Sequence, residues 1–183
     1  MGISMQENTQ LTHGDHHPSN KKFPLHILAN NITGPLNVGS LFRLCDALGI
    51  EKLYLCGDTA TPPNVKINKT SRSTEKHVDY ESGKNAEKIV LNLKEQNFII
   101  VSLEITSKSV ALNSVTFNAL IQNDKSICLI VGSESSGVSE ALLTLSDITV
   151  HIPMHGKNSS MNVISAASIA CYTIINQSVA VSG

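Results

Sequence analysis

The sequence predicts an α/β domain in which a mostly parallel sheet is covered by helices on both faces. Three largely apolar runs, at residues 25–29, 98–103 and 127–131, have the composition of strands that are buried on both sides. Segments with apolar residues at helical spacing alternate with these runs, as repeated βα units require. A chain of 183 residues with 41% hydrophobic and 16% charged residues is long enough to bury a substantial core.

The N-terminal segment, residues 1–24, is predicted to be a flexible tail ahead of a single domain over residues 25–183. It is rich in Asn, Gln, His and Ser and shows no periodicity. His13, His16 and His17 raise the alternative of a metal site, but a flexible polar tail is favoured. The segment lacks a hydrophobic signal region, and no apolar run in the chain approaches the roughly 18 residues of a membrane span. We therefore expect a cytoplasmic protein that does not enter a membrane.

The first strand is followed by a predicted helix over residues 38–48. Its buried stripe recurs at helical spacing: Val38, Leu41, Phe42, Cys45 and Leu48. Asn37 is placed to cap the start of this helix, and Gly49 is placed to end it. Arg43 and Asp46 point away from the stripe, so a surface ion pair between them is one interpretation of Arg43.

The middle and end of the chain continue the α/β alternation. A second strand is predicted at residues 52–56, whereas residues 59–80 have two prolines and little pattern and are interpreted as a functional or mobile loop. The next helix is marked by apolar residues at helical spacing: Ala86, Ile89, Val90 and Leu93. Further helices are predicted near residues 139–145 and 161–176.

The cysteines are interpreted as small buried hydrophobes in a reducing compartment. All four lie in apolar stretches, and no pair forms Cys-x-x-Cys: Cys45, Cys56, Cys128 and Cys171. Because no second pair of ligands lies at a usable spacing, we expect neither a zinc site nor another metal site.

Several common enzyme classes are excluded by the motifs that the chain lacks. The spacing of Gly132, Glu134 and Gly137 matches neither the dinucleotide-binding fingerprint nor the phosphate-binding P-loop, and no Gly-x-Ser-x-Gly hydrolase elbow is present. Taken alone, this segment is a strand-to-helix turn with Glu134 near a helix start.

The glycine-bearing turns after Val131 and Met154 follow predicted strands. In open α/β sheets, ligands bind at the carboxyl ends of the strands. The spacing therefore predicts a ligand site formed by residues 132–137 and 152–162, without identifying the ligand.

Three motifs together resemble the signatures of the SpoU–TrmH family of RNA ribose methyltransferases, a branch of the SPOUT superfamily. The resemblance runs from about residue 25 to about residue 176. The first motif is Asn37 and, six residues on, Arg43. The second motif consists of Gly132, Glu134 and Gly137. The third motif consists of Ile152, Pro153, Met154, Gly156, Ser160, Met161 and Asn162. Met161 stands where the family usually has leucine, a similar-sized apolar side chain.

The resemblance implies a fold, a cofactor and a reaction. It implies a SPOUT fold with a deep C-terminal trefoil knot, which general fold rules do not predict. It also implies a homodimer that uses S-adenosylmethionine to methylate a ribose 2′-hydroxyl of structured RNA. The implied cofactor-binding residues are Leu103, Glu104, Gly132, Ile152, Met154, Ser160 and Met161. The implied catalytic residues are Arg43, Asn37, Glu134, Ser160 and Asn162.

Arg43 is expected to act on the RNA rather than to accept a proton. A guanidinium stays protonated up to about pH 12, so it is a poor base at neutrality. Its fixed fork of donors is suited to holding the neighbouring phosphate and stabilising the developing alkoxide.

The net charge of −1 provides no global attraction for RNA, so any RNA contact must come from a local patch. The candidate phosphate contacts are Lys66, Lys69, Arg72, Lys76 and Lys157. An ordinary solvated loop is the alternative for residues 66–76.

The substrate and the reaction each leave alternatives open. The N-terminal segment is too short for an additional RNA-binding domain, which favours tRNA over rRNA as the substrate. A SPOUT enzyme that methylates a base is a second interpretation. A non-catalytic RNA-binding or cofactor-sensing module with the same fold is a third.

Overall fold

The protein is built around a seven-stranded sheet with the strand order β3-β2-β1-β6-β4-β7-β5, and every pair of neighbouring strands is parallel. The computed structural model describes residues 9–12, 15, 19, 21–121 and 125–179. The strands are β1 (Phe23–Asn30), β2 (Ile50–Cys56), β3 (Tyr80–Gly83), β4 (Ile99–Leu103), β5 (Val110–Ala111), β6 (Ile127–Val131) and β7 (Ile148–His151). The helices are α1 (Pro35–Leu48), α2 (Val65–Ser71), α3 (Ala86–Glu95), α4 (Phe117–Leu120), α5 (Glu140–Leu145) and α6 (Val163–Val179).

The central strands bury both of their faces, as their largely apolar sequences predict. In β1, Ile27 packs into one core cluster and Leu28 into the other, because successive side chains of a strand point to opposite faces. The first cluster contains residues of α1, α2 and α6, and the second contains residues of α3 and α5. The predicted mostly parallel sheet with helices on both faces is confirmed. Threading of the C-terminal segment into a knot stays a prediction.

Helix α1 begins earlier than predicted, and the predicted cap at Asn37 is wrong. The N-cap is Gly34, and Pro35 occupies the first turn, where its fixed φ and missing N–H cost nothing. The predicted stop is confirmed, because Gly49 takes the left-handed conformation with φ 63°. Asn37 is thereby freed from capping, and its side chain contacts other elements.

The interpretation of residues 59–80 as a patternless loop is wrong. This stretch contains α2 and a 3-10 turn over Thr74–Lys76, and it leads into the edge strand β3. Helix α2 has little apolar periodicity, because only Ile67 and Ser71 are buried in it. The sequence does contain a signal for the start of α2, because Asn64 is a favoured N-cap residue. Its side chain accepts hydrogen bonds from the backbone amides of Lys66 and Ile67.

The strand order brings three chain segments to one edge of the sheet. Strand β4 lies between β6 and β7, and all three are parallel, so their carboxyl ends are neighbours. The residues that follow these strands therefore meet at the edge where open α/β sheets bind ligands. Strand β1 begins at Phe23, two residues ahead of the predicted start. The assignment of residues 1–24 as a tail stays a prediction, and His13, His16 and His17 lie outside the described residues.

Candidate functional site

A cavity of about 460 Å³ opens where the chain leaves β4, β6 and β7. The end of β4, the turn after β6, the segment between β7 and α6, and the first turn of α6 form its walls. The seven residues predicted to bind the cofactor all line it: Leu103, Glu104, Gly132, Ile152, Met154, Ser160 and Met161. The sheet topology thus brings together residues that are far apart in the sequence.

The turn after β6 is tight enough to require glycine at both of its ends. Ser133 and Gly137 exchange two backbone hydrogen bonds, with N···O distances of 3.1 and 2.9 Å. A Cβ on Gly132 would lie 2.1 Å from the carbonyl carbon of Gly137, which no side chain can tolerate. Gly137 itself has φ +65°, a backbone conformation that favours glycine. The spacing of the two glycines therefore follows from this turn, and the turn brings backbone groups to the cavity wall.

The carboxylate of Glu104 holds this turn against the end of β4. Its Oε2 accepts a hydrogen bond from the backbone N–H of Val138 at 2.9 Å, and its Oε1 accepts one from the N–H of Ile105 at 2.8 Å. A Cβ on Gly137 would lie 2.1 Å from Oε2 of Glu104. Glu104 therefore shapes the cavity through its side chain as well as lining it.

Three of the predicted catalytic side chains form a hydrogen-bonded cluster, which we call the polar frame: Asn37, Glu134 and Asn162. Oε1 of Glu134 accepts from Nδ2 of Asn37 at 3.0 Å and from Nδ2 of Asn162 at 3.1 Å. Nδ2 of Asn162 also lies 3.4 Å from Oδ1 of Asn37. Glu134 and Asn162 both line the cavity and are exposed to solvent. The polar frame thus stands at the solvent side of the cavity.

Asn162 has a second role at the start of α6. Its Oδ1 accepts hydrogen bonds from the backbone amides of Ile164 and Ser165, at 2.9 and 3.4 Å. Asn162 therefore caps the start of α6 through its Oδ1 and belongs to the polar frame through its Nδ2. Ser160 lines the cavity two residues earlier and is exposed. The interpretation of Glu134 as lying near a helix start is wrong, because α5 begins only at Glu140.

Arg43 lies outside the cavity wall. It is exposed on α1, one helical turn before Asp46. The ion pair between Arg43 and Asp46 is not formed, because Oδ1 of Asp46 instead lies 3.1 Å from Nε2 of His77. The structure therefore does not bring Arg43 together with the residues that line the cavity.

The five residues predicted to contact phosphate are all exposed, and they lie in two separate parts of the fold. Lys157 lies in the segment between β7 and α6. The other four lie on α2 and just after it: Lys66, Lys69, Arg72 and Lys76.

The sequence signatures extend over most of the fold. The family model described as the SpoU rRNA Methylase family matches residues 24–172, from β1 into α6. The chain belongs to the SpoU rRNA methylase family. The resemblance drawn from the three motifs is thereby confirmed.

Relatives of this SpoU family chain include enzymes with different RNA substrates. It is 32% identical over 147 residues to the tRNA (guanosine(18)-2′-O)-methyltransferase of Aquifex aeolicus, an alignment that covers 80% of this chain and 66% of the relative. It is 28% identical over 158 residues to a 23S rRNA (guanosine-2′-O-)-methyltransferase of Blochmanniella floridana, covering 86% of this chain and 59% of the relative. The chain therefore spans about three fifths of the length of the curated relatives that it matches.

Solved structures of SpoU proteins have the same fold. The TrmH/SpoU tRNA modifying enzyme of A. aeolicus superposes with a TM-score of 0.78 at 26% identity, covering 89% of this chain and 79% of that chain. The SpoU methyltransferase AviRb of Streptomyces viridochromogenes, solved in complex with the cofactor AdoMet, gives a TM-score of 0.75 at 26% identity, covering 86% and 61%.

Several residues that line the cavity of this SpoU family member fall outside the site predicted at residues 132–137 and 152–162: Ile105, Val131, His151, Val163 and Ala166. His151 ends β7, and its Nδ1 lies 3.0 Å from Oγ of Ser109. Its position in the sequence could have identified it, because His151 directly precedes Ile152 at the carboxyl end of a strand.

The described part of the chain holds no group of three or more His, Cys, Asp or Glu side chains that could bind a metal ion. Among the helices in the described ranges, none has the length and hydrophobicity that a membrane span requires.

Proposed function

We propose that this chain is an S-adenosylmethionine-dependent RNA methyltransferase that acts on a ribose 2′-hydroxyl. The observation that carries the proposal is the meeting of Asn37, Glu134 and Asn162 at the solvent side of a cavity walled by glycine-bearing turns. The names of the A. aeolicus and B. floridana relatives support the same reaction class.

The cavity fits a cofactor of this kind. A volume of about 460 Å³ lies in the range of small-molecule sites. Its walls combine apolar side chains, such as Leu103, Ile152 and Met154, with backbone groups that the turn after β6 exposes. We propose that these groups and the backbone at Glu104, Gly132, Ser160 and Met161 hold the adenosyl part. When bound, S-adenosylmethionine supplies a methyl group on a positively charged sulfur, which is already activated for transfer.

The protein's own contribution is then to align the hydroxyl and take its proton. The ribose hydroxyl that would receive the methyl group must give up its hydrogen to an acceptor on the protein. Two amide donors occupy Oε1 of Glu134, whereas Oε2 accepts no hydrogen bond from another described residue. We assign Oε2 as the acceptor of the hydroxyl hydrogen, with Asn37 and Asn162 fixing the carboxylate. Ser160 adds a hydroxyl on the cavity wall beside them.

Arg43 is assigned to the RNA. It is exposed and stands away from the cavity wall, as a residue that contacts a large substrate must. A guanidinium can hold a phosphate with two parallel hydrogen bonds and stabilise negative charge that develops on the ribose oxygen.

A homodimer is proposed from the surface of α6. This helix has no charged residue, and it exposes Ile169 and Tyr172, while α1, which packs beside it, exposes Leu36. Apolar side chains on neighbouring helices are typical of an interface between subunits. We assign this face to a second copy of the chain, and Tyr172→Glu is expected to shift the protein to a monomer in analytical ultracentrifugation.

The C-terminal knot and the compartment are likewise proposals. Family membership supports a threaded path for the segment that ends in α6. The free, buried thiols of Cys45, Cys56, Cys128 and Cys171 support a reducing compartment, which we take to be the cytoplasm.

The reaction is tested by methyl transfer from labelled S-adenosylmethionine to separate tRNA and rRNA pools from cells that lack this protein. After alkaline hydrolysis, a methylated ribose leaves an alkali-resistant dinucleotide, whereas a methylated base does not. Label in such a dinucleotide is expected, first of all from tRNA. Label found only in mononucleotides would indicate a base methyltransferase. Cofactor binding without transfer to either pool would indicate a non-catalytic module.

A further inference from the structure

Residues 65–77, which we call the α2 segment, are fixed to one face of α1 at two points. At the first point, the helices approach so closely that a Cβ on Gly39 would lie 2.7 Å from Cβ of Thr70. At the second point, Nε2 of His77 lies 3.1 Å from Oδ1 of Asp46. The α2 segment therefore has a defined position relative to the helix that supplies Asn37 to the polar frame.

Arg43 lies on the same face of α1 as both contacts. Gly39, Arg43 and Asp46 are four and then three residues apart, the spacing that places helical residues one above another. Arg43 is exposed and forms no ion pair with another described residue. Its guanidinium therefore belongs to the side of α1 where the α2 segment is attached.

The α2 segment carries an excess of positive charge, with four basic side chains against one carboxylate. It contributes four exposed basic side chains: Lys66, Lys69, Arg72 and Lys76. Within the described ranges, none of the four takes part in an ion pair. The one acid of the segment, Glu75, instead accepts hydrogen bonds from Asn68 and from Ser71.

Three lysines on other elements are paired with carboxylates: Lys52 with Glu81, Lys84 with Asp58, and Lys94 with Asp147. Six further described lysines outside the α2 segment take part in no ion pair with another described residue, but they are spread over several parts of the chain: Lys21, Lys22, Lys88, Lys108, Lys125 and Lys157. In a chain with a net charge of −1, this leaves the α2 segment as a local concentration of unpaired positive charge.

We propose that the α2 segment and Arg43 form one basic surface that binds the sugar–phosphate backbone of the substrate RNA beside the target ribose. This inference rests on the proposed function, because it takes RNA as the substrate. Arg43 lies six positions after Asn37, a rise of about 9 Å along α1, so the basic surface begins within about two helical turns of the polar frame. Contacts to the sugar–phosphate backbone do not distinguish one RNA base sequence from another. Their role is to set the position of the RNA on the enzyme.

The test compares two double variants in filter binding of labelled bulk tRNA over a range of salt concentrations. Lys66→Gln/Lys69→Gln removes two charges from the proposed surface. Lys84→Gln/Lys88→Gln removes two charges near α3, whose core residues pack on the opposite face of the sheet. Each phosphate contact adds roughly 0.7 to 0.9 to the slope of log affinity against log salt. The first variant is expected to lower this slope by about 1.5 and to weaken binding roughly tenfold at 50 mM salt. The control variant is expected to match the wild type.

The possible results separate this surface from the proposed reaction. Equal salt slopes for the wild type and both variants would overturn the surface, whether or not methyl transfer occurs. A wild-type protein that does not retain tRNA at low salt would overturn it as well. A reduced salt slope for Lys66→Gln/Lys69→Gln, with an unchanged slope for the control variant, would support the basic surface. If the wild-type protein at the same time transferred no methyl group to RNA, the proposed reaction would be refuted while the basic surface stood. Titration of S-adenosylmethionine should give the same affinity for all three proteins, because these lysines lie outside the cavity.

Discussion

The side-chain amide of Asn37 donates a hydrogen bond to Oε1 of Glu134 at 3.0 Å, although 97 residues separate the two in the chain. This contact ties the start of α1 to the tight turn after β6. Asn162 donates to the same oxygen at 3.1 Å and ties in the start of α6. Because one carboxylate oxygen holds both amides, a change at Glu134 affects the position of three elements at the edge of the cavity.

Glu134→Gln is expected to lower the rate of methyl transfer by at least about 100-fold, the scale of a lost general base. The amide oxygen of the variant can still accept from Asn37 and Asn162, whereas its NH₂ group cannot take the hydroxyl hydrogen. Single-turnover transfer and calorimetric titration of S-adenosylmethionine, side by side, measure the effect. Cofactor affinity should be unchanged, and a variant that transfers within threefold of the wild-type rate would remove Glu134 from the role of base.

Arg43→Ala is expected to abolish methyl transfer while leaving cofactor affinity within about threefold, because Arg43 stands outside the cavity wall. Arg43→Lys keeps the charge but loses the two-pronged donor geometry, so it should recover only part of the rate. Transfer rates and calorimetric affinities of both variants test the assignment. Equal losses of transfer and cofactor affinity in Arg43→Ala would place the residue at the cofactor instead.

Gly132→Ala is expected to weaken S-adenosylmethionine binding more than tenfold and to lower the melting temperature, since its Cβ would lie 2.1 Å from the backbone of Gly137. The matched control is Gly83→Ala at the sheet edge, where the nearest atom to a new Cβ is a side-chain carbon of Ile89 at an ordinary 3.4 Å. Calorimetry and thermal unfolding of both variants provide the comparison. If Gly132→Ala changed cofactor affinity and melting temperature no more than Gly83→Ala does, the close approach of Gly132 to the backbone of Gly137 would be refuted.

Acidification is expected to destabilise the protein through His26. The ring is 8% exposed and packs on Phe98 with ring centroids 4.6 Å apart, and its Nδ1 has no hydrogen-bond partner among the described residues. Burial lowers the pKa of His26 from its usual 6.5, although Glu51 partly opposes the shift. A lowered folded-state pKa means that the neutral ring contributes stability above pH 6.5, and that this stability is lost as the pH falls through the folded-state value.

Urea unfolding at pH 7.5 and pH 5 of the wild type and of His26→Leu measures this contribution. The wild type should lose more free energy of unfolding on acidification than the variant, which has no group to protonate at this position. Identical losses in the two proteins would show that His26 is not the titrating group.

The cysteines are expected to resist alkylation in the folded protein. Burial raises the pKa of Cys45 and of Cys56 to about 12, and it also raises the pKa values of Cys128 and Cys171 well above the usual value for a thiol. Because the thiolate is the reactive form, iodoacetamide at pH 8 should label none of the four thiols in native protein and all of them in urea. Rapid labelling of the native protein, read by mass spectrometry, would contradict their burial.

The sheet and most helices were predictable because their sequence signals arise from burial. Strand β6 is buried on both faces and consists entirely of apolar residues, the only polar residue of β4 is Ser102, and α3 has an apolar stripe that repeats at helical spacing. Helix α2 was missed because it buries only Ile67 and Ser71, too little to produce a periodic pattern. The cap at Asn37 was misassigned because Pro35 allows the helix to begin earlier.

The candidate site was predictable as a set of residues but not as a geometry. The spacing of Gly132 and Gly137 follows from one local turn, so it can be read from the sequence. The contact of Asn162 with Asn37 spans 125 residues and depends on the strand order, which no local pattern encodes. The exposure of Arg43 could be predicted from helical spacing, whereas its position outside the cavity wall depends on how α1 packs in the fold.

A crystal structure of the protein with S-adenosylmethionine would show directly where the ligand binds. The adenosyl group is expected to lie between Leu103, Gly132 and Ile152, with the methyl group directed towards Glu134. A cofactor bound outside this cavity, or one whose methyl group points away from Asn37, Glu134 and Asn162, would contradict this expectation.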